Sequence, residues 1–178
     1  MEPTILTLQG KLFDYRAPEQ HTFCIDEIAH ALSNLCRFTG HTRSFYSVAQ
    51  HSVLVCDLAP AEHKLEALLH DAHEAYVGDV NSPLKTLLPM YREVEQLAEA
   101  ALRRAFGLPE WKSREVKLAD LSAYQIERFV LMPPHCHEVG EDPPHPYPLH
   151  PLQPREARDL FLARWNEVRH TNPGSNTP

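Results

Sequence analysis

In the stretch HKLEALLHDAHEAYVGD, the residues His70, Asp71, His73 and Glu74 follow directly on the apolar run Leu65, Ala67, Leu68 and Leu69. A buried apolar helix does not ordinarily continue into such groups, because desolvating them costs several kcal/mol, roughly, unless something compensates. A bound cation compensates. On a continuous helix His70 and Glu74 share a face, and Asp71 lies about 100° round from His70, so an ion over the helix edge between them reaches both. Two ligands are too few for a tight site. His51, in the middle of SVAQHSVLV, and Asp120, in the middle of VKLADLSAY, are polar residues where their segments otherwise read apolar. Two imidazoles and two carboxylates suit Zn²⁺, Mn²⁺, Co²⁺ or Fe²⁺ with positions left open to water. Such an ion lowers the pKa of the water it binds. Taken singly, His51 also reads as a packed or surface histidine and Asp120 as an exposed helix carboxylate. The combination is more specific than its members.

The elements that must position these residues read as helices. Residues 4–15 alternate apolar and polar around Gly10 and predict a short strand pair or extended arm. Asp26 is expected to cap a helix over 27–36, followed by a loop at 37–43 with Gly40 as the breaker. A second helix is expected over 47–58, stopped by Pro60, and a third over 61–77, ended near Gly78. A loop at 79–85 leads to a long amphipathic helix over 89–106 that carries Val94, Leu97, Ala98, Ala101, Leu102 and Ala105, a face that reads equally as core or as a packing surface, with Gly107 as its stop. Ser113 caps a helix through 131, with Val116, Ala119, Leu121, Ala123 and Ile126 available to the core. The Pro- and His-rich stretch 135–151 predicts an irregular loop, and Pro154 opens a last helix ending near 168. The prediction is an all-α single domain: an N-terminal arm over 1–25, a helical bundle over 26–170 and a disordered tail over 171–178.

The composition fits a globular chain of one domain, with 43% hydrophobic and 23% charged residues among 178. No apolar run approaches the roughly 18 residues of a membrane span. The N-terminus, without a basic region and apolar core, predicts no signal peptide. The scattered Cys24, Cys36, Cys56 and Cys136 form no CxxC pair, which points to reduced thiols in a cytoplasmic protein. A net charge of -7 argues against broad nucleic-acid binding, yet a cation and a few arginines can still make a local site for a small phosphate ligand.

The motifs QHS (Gln50–Ser52), LLHDAHE (Leu68–Glu74), GDV (Gly78–Val80), PLK (Pro83–Lys85) and LAD (Leu118–Asp120) resemble those of HD-domain phosphohydrolases. More narrowly they resemble the short branch containing bacterial 5′-deoxynucleotidases and phage dATP triphosphohydrolases. The resemblance runs from about residue 26 to 128 and implies a helical bundle. It implies that His51, His70, Asp71 and Asp120 bind one divalent ion, with a second ion at Glu74 and Asp79 left open. It implies Glu74 as general acid/base and Asp79 as a second catalytic carboxylate. Arg37 and Phe38 match an arginine–aromatic pair that contacts phosphate or sugar and packs near the base. Arg37 also reads as a helix C-terminal cation, and Phe38 as a core residue. Lys85 is a further phosphate candidate, beside an ordinary solvated lysine, and Pro83 a wall of the base pocket; His41 and Arg43 are weaker candidates. His73 departs from the family pattern, leaving second-ion ligation, a hydrogen bond to a ligand carboxylate or solvent exposure open.

The resulting expectation is a deoxynucleotide phosphohydrolase. It cleaves dNTP, preferentially dATP, to deoxynucleoside and triphosphate, with 5′-deoxynucleotidase action on dNMP as the alternative. A non-catalytic nucleotide-sensing module requires lost ligands, and none of the four is missing. A cyclic-nucleotide phosphodiesterase requires longer helical domains and more ligands. The expected partners are a nucleotide substrate and further copies of the chain, as a dimer or hexamer, with neither nucleic acid nor membrane.

Overall fold

The computed structural model describes residues 2–133 and 147–170. Cys136, most of the loop expected at 135–151 and the tail expected at 171–178 lie outside the described residues. The chain is mostly helical with one small antiparallel sheet. In order come β1 (Thr4–Leu6), β2 (Leu12–Asp14), α1 (Ile25–Asn34), α2 (Val48–Leu58), α3 (Lys64–Leu68), α4 (Glu74–Val77), α5 (Ser82–Lys85), α6 (Pro89–Ala105), α7 (Arg114–Leu131) and α8 (Pro154–Val168). Among the described residues no helix is long and apolar enough to cross a membrane.

The centre of the bundle is α2. Its residues Val48 through Cys56 are all buried, the polar Gln50, His51 and Ser52 included. The Ser47 hydroxyl caps it by accepting from the Gln50 N–H at 3.2 Å. Around it pack α1, α3, α7 and α8. The Gln50 side chain then ties down the returning segment, donating to the His150 carbonyl at 2.6 Å and accepting from the Leu152 N–H at 2.9 Å.

The N-terminal arm is a true hairpin. Ile5 sits opposite Phe13, and Gly10 at φ 73° supplies the left-handed turn that a side chain would resist. Phe13 is fully buried and stacks on Tyr76 of α4, with ring centroids 4.5 Å apart. The Tyr76 hydroxyl donates to the buried Glu27 carboxylate at 3.0 Å. The arm therefore braces the short helix that begins with Glu74.

Several expectations need correction. Cys24 rather than Asp26 is the cap of α1, which starts at Ile25 and has no side-chain cap bond; Asp26 lies inside its first turn, where a carboxylate complements the macrodipole. Leu97 is 50% exposed, Leu121 is 53% exposed and Ala105 is also exposed. Leu97 and Leu121 line cavities instead of the core.

The largest difference is in the expected helix over 61–77. A 3₁₀ turn at Ala61–His63 leads into α3, which ends at Leu68, and α4 does not begin until Glu74. Between them the backbone bonds tighten, with Ala72 N–H to Leu69 O at 3.1 Å and Glu74 N–H to Asp71 O at 3.0 Å. The His70 Nδ1 also takes the Ala67 carbonyl at 2.8 Å, competing with the helical ladder. The His–Asp–x–His–Glu stretch is therefore a sequence of turns, and side-chain directions cannot be read from an ideal helix.

Candidate metal centre and adjoining cavity

Three separate elements meet at the break between α3 and α4. His51 projects from the middle of α2, His70 and Asp71 from the turns, and Asp120 from α7. His51, His70 and Asp120 offer ligand atoms that all lie within 4.8 Å of one another. His51 Nε2 is 3.2 Å from Asp120 Oδ1 and 3.6 Å from Asp71 Oδ2. His70 Nε2 is 2.9 Å from Asp71 Oδ2 and 3.9 Å from Asp120 Oδ1. The turns bring His70 and Asp71 together although they are sequence neighbours.

The far nitrogens decide whether this donor set fits a metal. A carbonyl oxygen only accepts, so His70 Nδ1 must carry the hydrogen it gives to Ala67. His51 Nδ1 lies 2.7 Å from Glu127 Oε1, a fully buried carboxylate. Burial opposes charge on Glu127, but His51 and Arg37 hold its pKa below the usual carboxylate range, so it too accepts. In the neutral imidazoles both Nε2 atoms then carry lone pairs, buried and without hydrogen-bond partners, facing two carboxylates. Lone pairs and carboxylates converging on one point repel unless a cation or protons lie between them. The described residues thus fit a divalent ion, with carboxylate and carbonyl behind the histidines fixing their tautomers.

The charges agree. Burial and Arg37 oppose a proton on His51, but Glu127, Asp120 and Asp71 outweigh them and raise its pKa well above the ordinary value. Burial opposes ionisation of Asp71, but His70, Lys112 and His51 hold it well below its usual range. Asp120 is lowered to about 2, against its burial, by His51 and His70. Glu74 behaves oppositely: burial, with Asp71 and Asp79 alongside, pushes its carboxyl well above the usual value. Burial also raises Asp79, although Arg37 opposes the shift.

A cavity of about 600 Å³ opens beside these groups. Arg37, Phe38, Glu74, Asp79, Pro83 and Lys85 all line it, so the structure brings each of these predicted residues to one place. Arg37 donates to Glu127 Oε2 at 3.2 Å and lies 3.7 Å from Asp79. Phe38 and Thr39 both sit in the left-handed region, at φ 54° and 53°, a conformation costing about 1–3 kcal/mol per residue. The strained turn is held by the Arg37 N–H on the Tyr46 carbonyl and by Asn81 Nδ2 on Thr39 Oγ1. It places the Phe38 ring near-parallel to Tyr124, with centroids 5.9 Å apart. Lys85 is not a free cation, since its ammonium contacts Glu95 on α6. His73 is neither solvent-facing nor part of the His51–His70 group; it is buried and turned toward Glu95. Arg43 donates to the Val130 carbonyl, and neither it nor His41 lines the cavity.

Residues missed by sequence reasoning complete the site. Glu127 stands seven residues after Asp120, two turns along the same face of α7, and that spacing was available in the sequence. Tyr124, four after Asp120, carries the same signal. Lys112 does not. It sits in the loop before α7, 3.3 Å from Asp71, and that loop is held by the buried Arg103. The Arg103 guanidinium donates to Pro109 and Trp111 carbonyls at 2.6 and 3.0 Å and to Glu66 at 2.7 Å.

No family model matches the chain. It is 40% identical over 176 residues to the uncharacterized protein YfdR of Escherichia coli (strain K12), covering 92% of this chain and 94% of that protein. It is 34% identical over 134 residues to the uncharacterized protein RCAP_rcc00048 of Rhodobacter capsulatus, covering 67% and 68%. Neither name carries an activity.

Proposed function

We propose that this chain, which belongs to the same family as Escherichia coli YfdR, is an HD-domain, metal-dependent phosphohydrolase of deoxynucleotides. The favoured substrate is a dNTP, dATP foremost, yielding deoxynucleoside and triphosphate. One observation carries the reading: two buried imidazole nitrogens and two carboxylates converge beside a cavity that also holds cationic side chains and an aromatic pair. A divalent ion held by His51, His70, Asp71 and Asp120 would supply Lewis acidity and a lowered water pKa.

The chain's own groups have separable tasks. Glu74, with its raised pKa, can exchange a proton nearer neutral pH than an ordinary carboxylate, which suits a general acid/base. Asp79 stands beside it as the second carboxylate and holds Arg37 from the cavity side. Arg37 offers a planar guanidinium to phosphoryl oxygens, where charge spreads during transfer. Phe38 and Tyr124 offer faces for a base, with Pro83 in the same wall.

Lys112 and Lys117 line the cavity together with Arg37 and Lys85, which favours several phosphates over one. The preference for dATP rests on the resemblance of residues 37–52. The proposal includes a cytoplasmic location and assembly as a dimer or hexamer, in keeping with the same resemblance.

The test is turnover of dATP and dAMP by purified protein with Mn²⁺ or Co²⁺, products resolved by anion exchange. Intact triphosphate from dATP, lost on replacing His70 and Asp71 by alanine, supports the reading. Phosphate from dAMP without dATP turnover selects the 5′-deoxynucleotidase alternative. Activity unchanged by the double replacement refutes the assigned centre.

A further inference from the structure

Glu74 also belongs to a second cluster, whose other members His73 and Glu95 the proposed function does not use. His73, Glu74 and Glu95 offer ligand atoms that all lie within 4.8 Å of one another. His73 and Glu74 are each 4% exposed, and Glu95 reaches in from α6. His73 Nε2 is 3.8 Å from Glu95 Oε1, too far for a hydrogen bond. Two ligands on one ion at about 2.1 Å with tetrahedral angles stand about 3.4 Å apart, so a small inward shift would let both reach one ion. Two atoms of the cluster are buried without any hydrogen-bond partner, Glu74 Oε2 and His73 Nδ1. An unpartnered carboxylate oxygen at this depth calls for a cation. The Lys85 ammonium contacts Glu95, the third member of the cluster, and lies 5.8 Å from the Tyr91 ring centroid.

We propose that His73, Glu74 and Glu95 form a second divalent-cation site, in which the ion displaces the Lys85 ammonium from Glu95. One imidazole with two carboxylates suits Mn²⁺, Co²⁺, Fe²⁺ or Zn²⁺. Glu74 has two oxygens, so one can serve the ion while the other remains available to a proton. Lys85 already lines the cavity, and its release from Glu95 adds a mobile cation there. Loading of the second ion thereby raises the positive charge presented to phosphate, so this part of the inference rests on the proposed function and links the two through Lys85 and the shared Glu74.

Equilibrium dialysis against Co²⁺ or Mn²⁺, with metal counted per chain, tests this on wild type, Glu95→Gln, His73→Gln, Lys85→Gln and Asp120→Asn. Circular dichroism and melting curves establish that each variant is folded. Two equivalents in wild type, with one lost in Glu95→Gln and His73→Gln and a different one lost in Asp120→Asn, support the inference. Lys85→Gln should bind the second equivalent about tenfold tighter, because a competing like charge has been removed; unchanged or weaker binding overturns the displacement. A single equivalent lost only in Asp120→Asn overturns this site and leaves the first intact. A single equivalent lost in Glu95→Gln and His73→Gln but kept in Asp120→Asn upholds this site and removes the basis of the proposed function. No bound metal in wild type overturns both.

Discussion

Glu127→Gln is the sharpest probe of how the centre is built. Glu127 is fully buried and uses its two oxygens differently: Oε1 faces His51 Nδ1 at 2.7 Å, and Oε2 accepts from Arg37 at 3.2 Å. Glutamine keeps the shape but has one oxygen, so its amide NH₂ must confront either the imidazole N–H or the guanidinium, donor against donor. Leaving one of these buried donors unpaired costs about 2–3 kcal/mol. For a chain of this size that corresponds to a fall in Tm of about 4–12 °C. The tautomer of His51 is then no longer enforced. Loss of such an outer partner typically weakens metal binding 10- to 100-fold, about 1.4–2.7 kcal/mol. Calorimetric titration with Co²⁺ or Mn²⁺ reads the affinity directly, and a melting curve without metal reads the stability. A folded variant whose metal affinity stays within about twofold of wild type would refute the argument that Glu127 presents His51 to an ion.

Three further outcomes follow. Metal at about 100 times its Kd should stabilise the fold by about 2.7 kcal/mol relative to chelator, raising Tm by about 5–11 °C; equal melting curves would show that no ion binds the native state. Tyr124→Ala removes a side chain already 44% exposed, so the fold should be little affected, while nucleotide binding weakens by about 5- to 150-fold if a base stacks there; fluorescence titration with unchanged metal content is the check. Burial opposes ionisation of Glu66, but Arg103 and the Ser113 N–H lower its pKa. Its contribution is therefore present above the ordinary glutamate range near 4.3 and is lost as pH falls through the lowered value. Glu66→Gln should cost roughly 3 kcal/mol at neutral pH by stranding Arg103 and should flatten the acid limb of a Tm-versus-pH curve. An acid limb as steep as in wild type would assign that dependence to other carboxylates.

What the sequence made legible had a common physical origin. His51 and Asp120 were visible because each breaks an apolar pattern, and burial of a polar group without reason is costly. The limits of α2, α6, α7 and α8 were visible from Ser47, Pro89, Gly107, Ser113 and Pro154, whose caps and dihedral limits act locally. The break between α3 and α4 was not. LEALLHDAHEAYV has good helical periodicity, and the competition that ends the helix comes from a side chain, His70, taking a backbone carbonyl. Lys112 escaped for a different reason, since its position depends on Arg103 holding a loop through carbonyls that leave no trace in residue type. Leu97 and Leu121 read as core because hydrophobic spacing does not distinguish a face packed on protein from one lining a cavity. Their exposure is the cavities' signature.

The order of charges around the centre gives the remaining reason for its layout. Around the converging nitrogens, Asp71 and Asp120 in front and Glu127 behind are held ionised, and Arg37 is the guanidinium that touches Glu127. These three carboxylates, of which Glu127 is fully buried, face one guanidinium and the Lys112 ammonium, 3.3 Å from Asp71, so one negative charge is left for a bound cation to meet. Glu74 and Asp79 lie just outside that group, and burial first, then the neighbouring carboxylates, raise both pKa values against the pull of Arg37 and Lys85. Arg37 joins the two zones, bonded to the carboxylate behind His51 and 3.7 Å from Asp79 in the cavity. A lysine there could not make both contacts from one planar group. The residue proposed for phosphate is thus positioned by the same carboxylate that faces His51 Nδ1, so the proposed metal and phosphate contacts would both depend on one buried side chain.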